Sequence, residues 1–340
     1  MTTYQDAERL MDMVFGFIPA QVVHVLATLD IADHLVDQPA SGAELAKLTA
    51  SHEPSLRRLL RGAVHLGLLT LDAEGRYELT PAGQPLRGDV QFSIKHLAKE
   101  MGGEPTWSAC GKLDQTVRTG RSGVQYAFGE SGYDWLTKNP DEQADLYTWV
   151  VESARRDVPA VVAGLDLSGA RTMVDVGGGN GILTAGLLVA NPELTGTIFD
   201  LAAAQEYTGS LLAESGVAQR CALVVGNFLT DPLPPGQDVY LAKGIVSDWA
   251  DDDALRILRG CAEAMRADSE LVLIDLVMPA DDAATDSLAL MSDLCTLACG
   301  GEVRTEAHLR SLLDDAGLRL VEVGGSQVEG GTSLIRAVRS

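Results

Sequence analysis

From residue 171 onward the chain repeats one unit: a short apolar run, then a stretch with helical apolar spacing. The runs are TMVDVGG, TGTIFDL, CALVVGNF, DVYLAKG, ELVLIDL, LRLVEVGG and TSLIRAV. Continuous apolar strands need cover on both faces, and alternation with helices supplies it, so the pattern predicts a mostly parallel, doubly wound α/β sheet. The last two runs are joined by a Gly-rich turn and predict an antiparallel C-terminal hairpin.

Within that frame VDVGGGNG, residues 174 to 181, reads as a strand feeding a glycine turn and a helix. Glycines at this junction let a ligand approach bare backbone, beyond the carboxyl ends of the strands where open α/β sheets bind ligands. Asp200 ends the next strand, TGTIFD, followed by Leu201. A carboxylate there can accept from both hydroxyls of a ribose. After the third strand, Asn227 can pair with an adenine edge and Phe228 can stack on it, with a turn-forming Asn as the other reading. A nucleoside cofactor is the expectation. NAD is the runner-up, because Gly177 and Gly179 are followed by Ile182 where the dinucleotide fingerprint needs glycine.

The chain has 340 residues, enough for two domains. Residues 9 to 37 carry an apolar helical pattern with few charges that needs a covering surface, and a homodimer through the N-terminal helices is expected. Residues 41 to 87 follow a winged-helix pattern. Ser41 with Glu44 forms a capping box, Glu53-Pro54 opens a second helix, and Asp72 to Gly75 turns a hairpin. Residues 88 to 165 read as mostly helical. Only 5% of the chain is aromatic, yet Trp107, Tyr126, Phe128, Tyr133, Trp135, Tyr147 and Trp149 fall here, which suggests a flat, apolar substrate wall. The expected division is 1–95, helical dimerisation and winged-helix; 96–168, a helical linker contributing to the substrate pocket; and 169–340, the sheet domain.

A formal net charge of -22 argues against nucleic acid as a partner, since binding its backbone requires clustered Lys and Arg. A DNA-reading role for the RRLLR segment is correspondingly weak, and packing is preferred. No uninterrupted run of 18 apolar residues occurs, so neither membrane spanning nor secretion is expected, and the location is read as cytoplasmic. Five scattered cysteines suggest neither a disulfide framework nor a zinc site, and no metal is expected.

Together these motifs resemble the class I S-adenosylmethionine-dependent O-methyltransferases of the small-molecule type, found among plant phenolic and actinobacterial natural-product enzymes. The resemblance runs through DVGGGNG, GTIFDL, GNF, the DW turn of KGIVSDW and GGEVRTEAHLRSLLDDAGLRLVEV, and covers nearly the whole chain. It implies a Rossmann-like domain that binds S-adenosylmethionine or S-adenosylhomocysteine. Gly177 and Gly179 would line the methionine part, Asp200 with Leu201 the ribose, and Asn227 and Phe228 the adenine, with Lys243 at a strand end. Asn227 departs from the Asp usual in the family.

A second departure concerns the chemistry. Members that deprotonate a phenol commonly read HDW at the turn, with His as general base, and here Ser247 precedes Asp248 and Trp249. A serine hydroxyl titrates far above neutrality and cannot replace it. Of the two carboxylates that orient the family's His, one survives as Asp275 and the other falls on Val303, beside Glu302. The six histidines leave residues 97 to 307 without an imidazole. His24 and His96 remain as outside donors, and His308 reads as a surface residue.

The resulting expectation is a methyltransferase that acts by proximity on a small aromatic natural-product intermediate, a phenol or an indole, with the acceptor open among oxygen, carbon and nitrogen. Asp248 or Asp275 could steer a proton, and Trp107, Trp149 and Glu152 could face the substrate. The alternative is a non-methylating enzyme, a pericyclase, decarboxylase or hydroxylase, that retains S-adenosylmethionine on this scaffold. A transcriptional regulator using the winged helix is a third reading.

Overall fold

The computed structural model describes residues 4–280, 287–325 and 332–340. The chain divides into two compact units, Met1–Gly111 with Ala127–Glu152, and Lys112–Tyr126 with Ser153–Ser340. Residues of the 96–168 segment are thus shared between them, and the 25-residue helix Pro140–Gly164 contributes to both.

The first unit opens with helices Tyr4–Phe15 and Phe17–Thr28, which meet at Gly16. The first of them buries nothing, and Leu10, Met13, Val14 and Phe15 are each more than 60% exposed. By length and composition alone Tyr4–Thr28 would suffice to cross a membrane, an 18-residue window within it having a mean hydropathy of 1.6. A window average thus reads this segment as more apolar than its uninterrupted runs do.

The winged-helix pattern folds as expected. The Ser41 hydroxyl accepts from Glu44 N at 3.3 Å while Ser41 N donates to Glu44 Oε2 at 2.7 Å, starting helix Gly42–Leu48. Pro54 sits in the first turn of helix Glu53–His65, where its missing N–H has no partner to lose. Three strands follow the order β1 (Ala40–Ser41), β3 (Arg76–Leu79), β2 (Leu69–Leu71). Asp72 closes the hairpin by accepting from Arg76 N at 2.7 Å. Leu26, Leu45, Leu60 and Tyr77 form the core of this unit.

The second unit holds seven strands: β4 (Thr172–Val176), β5 (Thr195–Asp200), β6 (Cys221–Val225), β7 (Val239–Lys243), β8 (Glu270–Leu276), β9 (Leu318–Gly325) and β10 (Thr332–Arg339). Their order is β6-β5-β4-β7-β8-β10-β9, with β4 to β8 parallel and the last two antiparallel. The hairpin is therefore present, with β10 inserted between β8 and β9; the turn that joins its strands, residues 326–331, lies outside the described residues.

Alternation along the central strands feeds two apolar layers. Val174, Val176, Tyr240, Leu271 and Leu273 join one cluster, while Met173, Leu241, Val272 and Ile274 join the other. Both faces are dry, as a parallel sheet requires. The register pairs Val176 with Phe199, Asp200 with Val225, and Lys243 with Ile274. The strand ends that carry the candidate residues thus line one edge of the sheet.

Candidate active site

At that edge β4 runs into Gly177, Gly178 and Gly179. Gly177 has φ 70° and Gly179 φ 55°, in the left-handed region that side-chain-bearing residues rarely adopt. The two glycines differ in surroundings. A Cβ on Gly177 would overlap the Ile245 side chain and lie 3.4 Å from the Phe228 ring, whereas a Cβ on Gly179 would meet nothing. Gly177 is thus packed, and Gly179 offers open backbone.

Asp200, at the end of β5, turns back onto this loop. Its Oδ2 accepts from Gly179 N at 2.7 Å and its Oδ1 from Leu201 N at 2.6 Å. Burial pushes its carboxyl above the ordinary range, and these two backbone bonds oppose the shift. Each oxygen keeps a lone pair. A carboxylate with acceptor capacity to spare, beside bare glycine backbone and the apolar Ile245 and Phe228, fits a nucleoside with a ribose diol.

Asn227 builds its own turn. Its Oδ1 accepts from Leu229 N at 2.9 Å, and its backbone N donates to Asp231 Oδ2 at 2.8 Å. Its carboxamide oxygen is therefore already shared. Phe228 meets Trp249 edge to face, at 5.9 Å between centroids and 85° between planes. Lys243 Nζ pairs with Asp157 Oδ2 at 2.8 Å, both side chains mostly buried, which ties the end of β7 to helix Pro140–Gly164.

The neighbouring turn, Val246–Asp248, is held from several sides. Ser247 N donates to Asp275 Oδ2 at 3.1 Å. Asp275 is buried, and burial raises its pKa against the Ser247 and Leu276 bonds and the Arg304 charge. The Ser247 carbonyl accepts from Glu302 N at 2.8 Å. Asp248 is exposed. Val303, where the family has its other carboxylate, is buried and apolar.

Two residues escape the sequence reading. Arg304 is 2% exposed and spreads its guanidinium over Val246 O, Trp249 O and Asp251 Oδ1. Asp175 is buried in β4, accepts from Thr184 Oγ at 2.6 Å, and is pushed up to about 6 by burial, with Asp200 adding repulsion. No local motif marks Arg304; Asp175 could have been found as the lone acid in an apolar strand.

Residues 110–319 match the family model of the O-methyltransferase domain, and residues 11–87 that of the O-methyltransferase dimerisation domain. The chain belongs to the O-methyltransferase family. This O-methyltransferase is 33% identical over 323 residues to O-demethylpuromycin-O-methyltransferase of Streptomyces alboniger, across 93% of this chain and 85% of that one. The solved structure of the mitomycin 7-O-methyltransferase MmcR matches it with a TM-score of 0.92 at 31% identity, over 98% of both chains. A second structure, of the neocarzinostatin-pathway O-methyltransferase NcsB1 with S-adenosylmethionine and 2-hydroxy-5-methyl naphthoic acid, matches with a TM-score of 0.84 at 31% identity, over 94% of this chain and 96% of that one.

In this O-methyltransferase three of the histidines have their side chains partnered within their own units. In the first unit, His24 Nδ1 lies 3.2 Å from Ala98 O, and His96 Nδ1 lies 2.9 Å from Asp145 Oδ1. His308 is not the plain surface residue expected: Nε2 faces Asp251 Oδ2 and Nδ1 faces Glu302 Oε1, each at 3.0 Å. Sequence spacing hides this cluster, which also has the donor types of a metal site. Each carboxylate, however, faces a different nitrogen of one ring, so the imidazole bridges the two. Trp107, on helix Thr106–Cys110, and Trp149 and Glu152, on helix Pro140–Gly164, are half-buried residues of the first unit.

Proposed function

We propose that the enzyme transfers a methyl group from S-adenosylmethionine to a hydroxyl oxygen of a small aromatic natural-product intermediate, without an imidazole base. When bound, the cofactor supplies an electrophilic methyl group. The assignment rests on Gly179 and Asp200, joined at 2.7 Å on the open side of the glycine turn, in a family of O-methyltransferases. Gly177 and Gly179 admit the methionine part, Asp200 and Leu201 hold the ribose, Asn227 and Phe228 bound the adenine, and Lys243 braces the strand end.

Ser247 is held to Asp275 through its backbone N, and a serine hydroxyl does not take a phenolic proton at neutral pH. Orientation then carries the catalysis, an effect worth ~7 to 11 kcal/mol when alignment is good. An acidic phenol enters as its anion, its proton already given to solvent, and a phenol that enters neutral loses its proton toward solvent past Asp248 and Asp275. Trp107, Trp149 and Glu152 are assigned to the substrate. The functional division is 1–95 for dimerisation and winged helix, 96–168 for the substrate pocket and 169–340 for the cofactor. The apolar N-terminal helices pair in a homodimer. All five cysteines are free thiols, which suits a reducing cytoplasm.

Incubation with methyl-labelled S-adenosylmethionine and a panel of naphthols, aminophenols and hydroxyquinones tests this. The expected result is a labelled methyl ether with S-adenosylhomocysteine formed one for one. Conversion of a substrate without S-adenosylhomocysteine would overturn it in favour of a non-methylating reaction, and label on carbon would overturn the choice of oxygen.

A further inference from the structure

Every main-chain carbonyl from Ile245 to Ser247, and that of Trp249, is taken up within the second unit. Ile245 O accepts from Asp248 N at 3.2 Å and Ser247 O from Glu302 N at 2.8 Å. Val246 O and Trp249 O both go to Arg304, each at 2.8 Å, through Nη1 and Nη2. Arg304 Nη1 also reaches Glu302 O at 3.3 Å, and Nε donates to Asp251 Oδ1 at 2.9 Å. One buried side chain therefore grips the turn on both sides of Ser247 and Asp248, and grips the segment that holds Ser247 O as well. A Cβ on Gly301 would overlap the Ser247 carbonyl, so this segment lies directly against the turn.

The grip is itself braced. Asp251 opens helix Asp251–Ala264, and its second oxygen faces His308 Nε2, while His308 Nδ1 faces Glu302. Burial alone would raise Asp251, but the Arg304 and His308 contacts hold it below the ordinary carboxylate range. The two ring nitrogens of His308 span both carboxylates, one each. His308 thus closes a ring from Arg304 through Asp251 to Glu302 and back.

We propose that Arg304 is the positioning residue of the Ser247–Asp248 turn, and that His308, bridging Asp251 and Glu302, locks Arg304 in place. Its guanidinium is buried and fully directed at these groups, so it acts through the turn rather than on substrate. Planar fork geometry is what lets one side chain reach four acceptors; a lysine retains charge but has neither the reach nor the directions. The proposal rests on the methyltransferase reading for its assay.

The test compares wild type, Arg304→Lys and His308→Gln with a phenol that wild type methylates. Expected for Arg304→Lys is a kcat at least tenfold lower, with the cofactor dissociation constant within twofold by calorimetry. For His308→Gln, which preserves Arg304, we expect a three- to tenfold loss of kcat, again with the cofactor dissociation constant within twofold. Unchanged kcat in a folded Arg304→Lys overturns the proposal, as does a kcat loss matched by lost cofactor affinity. If Arg304→Lys does not fold, His308→Gln decides: an unchanged kcat, or a loss matched by lost cofactor affinity, overturns it. Absence of methyl transfer by wild type would instead count against the proposed function.

Discussion

Ser247 N donates to Asp275 Oδ2 at 3.1 Å, tying the turn to the end of β8 through the main chain. That bond survives removal of the hydroxyl. Ser247→Ala should leave kcat within about tenfold of wild type in steady-state assays with a methylated phenol. A loss beyond about a hundredfold, ~2.7 kcal/mol in barrier, with fold and cofactor affinity intact, would refute transfer by orientation alone.

Gly177 and Gly179 share a left-handed backbone but face different surroundings, and alanine at each should fail differently. At either site the conformation costs about 1–2 kcal/mol. Gly177→Ala adds an overlap with Ile245, so its melting temperature should fall most. At Gly179 the new methyl group would occupy open space beside Asp200. Gly179→Ala should weaken S-adenosylhomocysteine binding more than tenfold, ~1.4 kcal/mol, in titration calorimetry. Wild-type affinity in that variant would remove Gly179 from the cofactor site.

Asp175 predicts a pH effect on the cofactor-free enzyme. Burial holds its folded pKa at about 6, above the ordinary 3.8 of an aspartic acid, so the folded state binds the proton more tightly than the unfolded one. That contribution is complete below about 3.8 and is lost as pH rises to about 6, for a total of ~3 kcal/mol. Asp175→Asn keeps an acceptor for Thr184 and removes the titration. Between pH 4 and 7 the variant should gain roughly 2–3 kcal/mol on wild type in urea unfolding, and parallel curves would contradict the assignment.

Leu10 and Val14, one helical turn apart and each 62% exposed, mark the face that needs a partner. Burying such a side chain is worth about 1.5–3 kcal/mol. The double variant Leu10→Asp, Val14→Asp should convert dimer to monomer in sedimentation equilibrium. A wild type that already sediments as a monomer would place the dimer contact elsewhere or deny it.

What the sequence disclosed and what it hid follow the range of the interactions. The parallel strands, the glycine turn and Asp200 were legible because strand period, glycine and strand-end acid are local signals. Asn227 was readable in either role, and its Oδ1 accepts from Leu229 N while the adenine role stays a proposal. Arg304 was silent because its acceptors are main-chain carbonyls more than 50 residues away, and carbonyls have no sequence signature. His308 was misread since its helix looks amphipathic and its partners, Asp251 and Glu302, come from other segments. The hairpin of β9 and β10 could be anticipated; the place of β10 beside β8 could not, because that pairing is set by long-range register.

That placement has a consequence for how the chain is made. β9 leaves the ribosome before β10, yet it is attached to the sheet only through β10. Until β10 arrives, β8 presents an open parallel edge and β9 waits without a neighbour, a nascent state with two strand edges available to other chains. The sheet therefore closes from its inside outward, β10 first and β9 after it. Emergence of β10, rather than of the cofactor motifs, is the moment at which this domain can become whole.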